Sequence, residues 1–469
     1  MSRAHRNACS SGRPIGYGKS RYAACGGEAG PRTGSQHAGS RSFFYRALES
    51  RVTRAYAGWQ ADAVTDASQP PAVTSPETLR ENLRETPGET PPVTLLTDGV
   101  VTLRAHSVDD ADAIVEQSSD PESLRWTTVP RPYAREDALG WVEHNLSAWG
   151  EPRGTRSWAI EWTDATGTPH YAGTIDLRPG AAPSAGELGF GLHPDARGHG
   201  LMSRAVRLVV AHAFATPVWG APVTRVHWRA VVGNWGSRRT AWSTGFTFHG
   251  TIPGSHPDPE GGTEALDTWT ASITPGVPLE PQTPWFAAVP VEGDRVRLRP
   301  WRPEDVDAIE PRDDPGHWMP SRSILRPETF PAWLRTRQER MSEGTAVDWC
   351  VADLGTDRAL GSVTLFSRGG AITDTAELGY QFFPSARGRG AAKEAARLAV
   401  EHALATTSEG GLGVRRLVAE TAADNVASNG VLRSVGFVEF GREHAVDRVA
   451  DGGWGDGLHW ELLPPGSTE

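Results

Sequence analysis

Glu187–Met202 reads ELGFGLHPDARGHGLM, and Glu377–Ala392, 190 residues further on, reads ELGYQFFPSARGRGAA. In each copy a short apolar run (188–192, 378–383) ends at a proline, Pro194 or Pro384. A basic, glycine-rich turn follows, and then a long amphipathic helical pattern. Strand, Gly-rich turn and helix in that order build an anion cradle. Glycines let backbone N–H groups approach a phosphate, and the helix N-terminus adds partial positive charge. The spacing is neither GxxxxGK[ST] nor GxGxxG. It is Arg-x-x-Gly-x-(small).

The helices beyond the turn extend the repeat. Residues 207–216 (RLVVAHAFAT) align with 397–406 (RLAVEHALAT), with seven of ten positions identical. Self-similarity over this distance means two copies of a whole domain, in keeping with a length of 469 residues. The boundary falls in the proline-rich stretch 274–284. The expected division is a basic tail and linker over 1–95, a first domain over 99–275, a linker over 276–291 and a second domain over 292–466.

Composition excludes several classes. No apolar run approaches the ~18 residues that span a bilayer, so no membrane partner is expected. A net charge of −10 argues against broad nucleic-acid binding. The only lysines are Lys19 and Lys393, so phosphate contacts fall to arginine and the backbone. Cys9, Cys25 and Cys350 give neither a disulfide framework nor metal spacing; a reducing cytoplasm and no metal are expected. The tail is basic, rich in Gly, Ser and Pro, and reads as a disordered segment. A start site placed too far upstream and an Arg-rich transit peptide are the other readings. The stretch 75–92, dense in Pro and Glu, reads as a linker.

Periodicity predicts, in the first copy, strands at 100–105, 157–162, 171–177, 187–192, 223–232, 246–250 and 265–272. Helices are predicted from 108, over 135–149, after the glycine turn and over 234–245. The second copy repeats this order, with a strand at 295–300, a helix starting over 303–309, a helix around Trp333, and strands at 349–353, 361–366 and 415–421.

This order, with Arg-x-x-Gly-x-(Gly/Ala) opening the central helix, resembles the GNAT superfamily of acyl-CoA-dependent N-acyltransferases. A second motif narrows it. Asn234-Trp-Gly-Ser237 begins eleven residues before Gly245-Phe246, and Asn425-Val-Ala-Ser428 eleven before Gly436-Phe437. With Glu-Leu-Gly-aromatic on the preceding strand, this is similar to the branch that acetylates ribosomal-protein N-termini, which also holds antibiotic and small-amine acetyltransferases. The resemblance implies a mixed α/β (α+β) fold: two tandem GNAT-like domains, each a mostly antiparallel, splayed sheet flanked by helices. Acetyl-CoA is the implied co-substrate and a small-molecule or peptide amine the implied acceptor. Two related domains on one chain also suggest an intramolecular pseudo-dimer.

The resemblance assigns roles residue by residue. The pyrophosphate of coenzyme A would lie on the backbone of Arg197, Gly198, His199, Gly200, Leu201 and Met202, and of Arg387, Gly388, Arg389, Gly390, Ala391 and Ala392. Met202 departs from the small residue of the pattern and would bring a side chain near the phosphates. Pantetheine would pair with the strand at 187–192 or 377–382. Asn234 and Asn425 match a residue that helps hold the cofactor arm; an Asn there is also a good helix N-cap. Ser237 and Ser428 match a candidate acid toward the thiolate, or are plain first-turn serines. An α-amine of pKa about 8 is roughly one-tenth neutral at pH 7, so a base must take its proton. Glu187 and Glu377 are the first candidates, with a positioning role as the alternative. Asp447, eleven residues after Gly436, is a third; the same count from Gly245 reaches His256. Trp126, Tyr133, Trp141, Trp318 and Trp333 are pocket walls or core. Asp313 and Asp314 attract a cationic amine or are merely solvated. These differences imply a division of labour, with the second domain active and the first active too or reduced to acyl-CoA binding or regulation. Nucleic-acid binding through the basic tail is the remaining rival.

Overall fold

The computed structural model describes residues 93–164, 166–318, 324–367 and 375–464. The expectations for the basic tail and for the linker at 75–92 lie outside these residues. In the first domain, β1 (Leu96–Thr97), β2 (Val101–Arg104), β3 (Arg156–Thr163), β4 (Pro169–Pro179), β5 (Ala185–Leu192), β6 (Arg225–Val231), β7 (Thr247–His256) and β8 (Leu266–Ile273) form one sheet of order β1-β2-β3-β4-β5-β6-β8-β7. All neighbours are antiparallel except β5 and β6. Helices α1 (Ala111–Ser119), α2 (Pro121–Trp126) and α3 (Arg135–Ala148) follow β2; α4 (Leu201–Ala215) makes the crossover from β5 to β6, and α5 (Trp235–Ser243) follows β6. A parallel pair needs such a crossover.

The second domain repeats the topology with β9 (Val291–Glu292), β10 (Val296–Arg299), β11 (Ala346–Asp353), β12 (Ala359–Ser367), β13 (Thr375–Phe382), β14 (Arg416–Ala422), β15 (Val438–Arg448) and β16 (Trp454–Leu462), and with α6 (Phe330–Ser342), α7 (Ala391–Leu404) and α8 (Val426–Ser434). Among the described residues, its only parallel pair is β13 with β14. The expected helix start at 303–309 stays a short 3-10 stretch, Pro303–Ala308. Pro311 and Pro315 follow at once and remove the amides a continuing helix would need. In the first copy the matching 3-10 turn, Val108–Asp110, runs directly into α1.

The central helices explain the repeated sequence. On α4, Ala205, Val206, Val209, Val210 and Ala213 are buried against Trp158, Ile175, Leu177 and Leu188 of the sheet. On α7, Ala395, Ala396, Ala399, Val400 and Ala403 meet Trp349, Val363, Leu365 and Leu378. Positions i, i+1, i+4, i+5 and i+8 make one stripe, and burying each Val contributes about 1.5–3 kcal/mol. The opposite face of the first sheet carries Ala111, Ile114, Ala138, Leu139 and Val142 of α1 and α3. In the second domain Phe330, Trp333 and Leu334 of α6 pack with Trp301 and Cys350.

The stretch expected as a linker, 276–291, is tied down on both sides. Arg207 and Trp242 of the first domain bond the carbonyls of Leu279 and Thr283, and the amide of Phe286 bonds Met341 O in the second. The domains also touch directly. Arg238 of α5, only 2% exposed, donates to Ser342 Oγ (2.9 Å) and Glu343 Oε1 (2.7 Å), while Trp269 Nε1 donates to Glu339 Oε1 (2.7 Å). The guanidinium lies over the rings of Phe248 (3.9 Å) and Trp269 (4.6 Å). Asn429 and Leu458 hold the corresponding places in the second domain and stay inside it; Asn429 bonds Ala422 O and Ala423 O. The contact is therefore not repeated in reverse at these residues. Among the described residues, no helix is long and apolar enough to cross a membrane.

Candidate active site

In both domains the parallel ladder is short. Its last rung is Leu188↔Trp228 in the first and Glu377↔Val418 in the second. Beyond it β6 continues along β8, and β14 along β16, while β5 and β13 run on toward their prolines. The strands part beyond these rungs, and an extended ligand can pair with a strand edge opened in this way.

Each glycine turn lies at the end of this opening. Gly198, Gly200, Gly388 and Gly390 all have positive φ, between 72° and 82°. A Cβ on Gly198, Gly200 or Gly388 would meet nothing within 4 Å. At these three, backbone conformation rather than crowding demands glycine; at Gly390 a Cβ would also meet Arg295 Nη1 at 2.9 Å. Gly200 and Gly390 cap α4 and α7 with no side-chain hydrogen bond, so the first-turn amides face outward without a protein cap. Ser203, Arg204, Arg207, Ser243 and Leu279 line a cavity of about 560 Å³ beside the first of these turns. The residues present fit a diphosphate.

Two expectations about the turn change. Arg197 and Arg387 spend their amides on Pro194 O and Pro384 O. Their guanidinium groups clamp the loop before the turn: Arg197 on Asp120 (2.6 Å), Arg387 on Asp313 (2.6 Å) and Asp314 (2.7 Å). They are struts, and the available donors begin at Gly198 and Gly388. Asp313 and Asp314 are thereby engaged rather than set out to attract an amine. Met202 does not crowd the cradle either, because its side chain is buried in the core with Leu201. His199 stacks on Trp162 at 5.2 Å, whereas the Arg389 carbonyl accepts from Arg295.

Asn234 and Asn425 both act as N-caps, Oδ1 accepting from the amides of Ser237 (3.0 Å) and Ser428 (3.1 Å). The serines then differ. Ser237 Oγ accepts from Trp228 Nε1 at 3.0 Å. Ser428 Oγ lies 2.9 Å from the hydroxyl of Tyr380. Glu187 is bound through both oxygens to Arg229 Nη2 (3.0 and 2.9 Å). By register the place of Arg229 is taken by Glu420. Glu420 Oε1 is 3.5 Å from Nδ1 of His459, whose Nε2 is 3.5 Å from Glu443 Oε2. Glu377, Val418, Glu420 and His459 share one face by register.

Asp447 lies in the β15–β16 hairpin opposite Gly455, and no described contact joins it to Glu377 or Ser428. His256 lies opposite Leu266; its Nε2 is buried without a partner, and burial, then Arg229, lowers its pKa. Trp126 lies over Gly233 at the end of β6, and Trp318 donates to Asp424 at the matching place. Both cover the opening. Tyr133 and Trp141 pack on the α1–α3 cluster, and Trp333 is core. Sequence reasoning missed Tyr380, Glu420 and His459; aligning 225–231 with 416–422 would have exposed the Arg229/Glu420 exchange.

A parted β-strand pair with an uncapped glycine turn at its mouth, built twice, defines the class. Residues 101–247 and 295–438 match the acetyltransferase (GNAT) domain family. These segments make up more than half of the chain, and the protein belongs to that family. Solved structures with similarity include the ribosomal-protein-S5-alanine acetyltransferase of Vibrio fischeri (20% identity over 38% of this chain and 98% of that one, TM-score 0.33). Another is RimJ of Mycobacterium smegmatis in complex with CoA-disulfide (22%, 37% and 84%, TM-score 0.31). A GNAT-family acetyltransferase of Bacillus anthracis is a third (17%, 37% and 98%, TM-score 0.30). No curated protein matches the chain.

Proposed function

We propose that the protein transfers an acetyl group from acetyl-CoA to a primary amine, by direct attack in a ternary complex, and that the second domain carries the turnover. The observation that supports this most is the opening beside β13: a ladder that ends at Glu377, the uncapped first turn of α7 and a hydrogen-bonded Ser428 meet there. Gly388, Gly390 and the amides of Ala391 and Ala392 would hold the diphosphate, with Asn425 fixing the start of α8. Acetyl-CoA supplies the activated acyl group. Glu377, with His459 on the same face, takes the proton from the amine directly or through water.

In the first domain the same places are differently filled. Both oxygens of Glu187 are occupied by Arg229, and Ser237 already accepts from Trp228. The bond from Trp228 to Ser237, replaced at Ser428 by Tyr380, favours a first domain that binds acyl-CoA, or steadies its partner domain, without fast turnover.

The test uses the full chain, acetyl-CoA and a panel of peptides with free N-termini and small primary amines, read by thiol release. Turnover that survives G198A/G200A and is lost in G388A/G390A fits the proposal. No thiol release with any acceptor, together with no heat of coenzyme A binding by calorimetry, rejects it. Equal loss from the two double variants rejects the division between domains.

A further inference from the structure

The hydroxyl of Ser428 is not left to rotate alone. Its backbone is fixed by the Asn425 cap, and Tyr380 reaches it from β13, three residues beyond the last parallel rung. The phenol donates to Ser428 O at 3.0 Å, and its oxygen is 2.9 Å from Ser428 Oγ. Burial pushes the Tyr380 pKa up to about 12, against a smaller opposing effect of the serine, so the phenol stays neutral and able to donate. Two contacts from one ring to one residue set the serine's rotamer as well as its position. The phenol has one proton, which it gives to Ser428 O; when that proton turns to Oγ, which lies equally close, the serine proton is left to point into the opening.

The first domain lacks this arrangement. Phe190 stands where Tyr380 does, at the same register from the last glutamate. Ser237 instead accepts from an indole N–H, which orients an oxygen but does not relay a proton near neutral pH. A phenol can do both.

We infer that Tyr380 is the positioning residue for Ser428, and that the pair delivers a proton to the departing thiolate in the second domain. This rests on the acyl-transfer reading above. As the C–N bond forms, the C–S bond breaks and its electron pair goes to sulfur. Sulfur takes the Ser428 proton, Oγ takes the Tyr380 proton, and water restores the phenol. One proton leaves nitrogen toward Glu377 and His459, and one arrives at sulfur, so the step balances. A CoA thiol with a pKa near 8.5 leaves fairly well unaided, so the contribution sits at or below the low end of general-acid catalysis.

The experiment is a double-mutant cycle in the full chain. Y380F, S428A and Y380F/S428A are compared for kcat and for the KM of acetyl-CoA, using the acceptor that gives most thiol release in the panel. Phe190 at the equivalent place shows that a phenylalanine fits this backbone. Each single change is expected to lower kcat about tenfold, with KM unchanged within about twofold, and the double variant to match S428A alone. Losses that multiply overturn the proposal, because Tyr380 would then act independently of the serine. So does a Y380F enzyme with wild-type kcat, which leaves the acyl-transfer reading standing. Absence of turnover in the wild type removes both.

Discussion

The two domains share a strand order, a ladder that stops early and a glycine turn, yet they are wired differently around the opening. In the first, Trp228 of β6 lies across from Ala271 of β8. In the second, Ala419 of β14 lies across from Trp460 of β16. The indole has moved one strand over, with total volume kept, which cores tolerate best. Its hydrogen bond has moved with it. Trp228 donates to Ser237, whereas Trp460 donates to Thr421 Oγ1 (2.8 Å), which in turn donates to Asn429. An exchange neutral for packing thus releases Ser428 to pair with Tyr380. Arg229 and Glu420 at the next outward position reverse the charge of the cleft wall, and Arg238 against Asn429 decides which domain reaches for the other.

The largest effect that could break this comparison is in the core. W228A should cost about 3–5 kcal/mol by thermal denaturation, and W228A/A271W should recover a good part of it. A double variant no more stable than the single one would mean the paired volumes are not interchangeable. The glycine turns come next. Each Ala forced into the left-handed region costs about 1–2 kcal/mol, so G388A/G390A should slow acetyl transfer about a hundredfold and G198A/G200A less than about twofold. R238M should lose about 2–3 kcal/mol in the melt of the full chain, at or below the low end for a broken buried pair because Glu343 is partly exposed. An unchanged melt would show that the contact contributes nothing to stability.

The smallest effect is a pH slope. Burial drives the His106 pKa down to about 3; Asp110 opposes this and Arg104 adds to it. The unfolded chain takes up that proton below about 6.5, and the native domain does not until near 3. The first domain should therefore lose about 1.4 kcal/mol per pH unit on acidification through that window, or about 2 kcal/mol by pH 5. Trp301, the counterpart of His106, does not titrate. Melts of wild type and H106F from pH 7 to 5 test this; parallel slopes would remove His106 as the cause.

What was legible in the sequence was short-range. The glycine turn, the Asn caps and the amphipathic stripe of α4 and α7 are each written within about four turns of chain, where spacing and conformation determine one another. The bond between Tyr380 and Ser428 spans 48 residues, and that between Arg238 and Glu343 spans 105. No local period encodes such pairs. The backbone of Arg197 likewise reads as part of the phosphate cradle because the turn is visible, whereas Asp120, which holds its guanidinium, is 77 residues away. The helix expected from 303 failed on local grounds, since Pro311 and Pro315 outweighed the acidic start.

The one-way contact through Arg238 has a consequence for ancestry. A gene that merely doubled would supply two identical faces, but here only the leading half carries the arginine and only the trailing half carries Ser342 and Glu343. Transposing the halves in the gene would turn a buried cation out to solvent and leave its carboxylate behind. The contact thus sets which half must lead for Arg238 to stay buried.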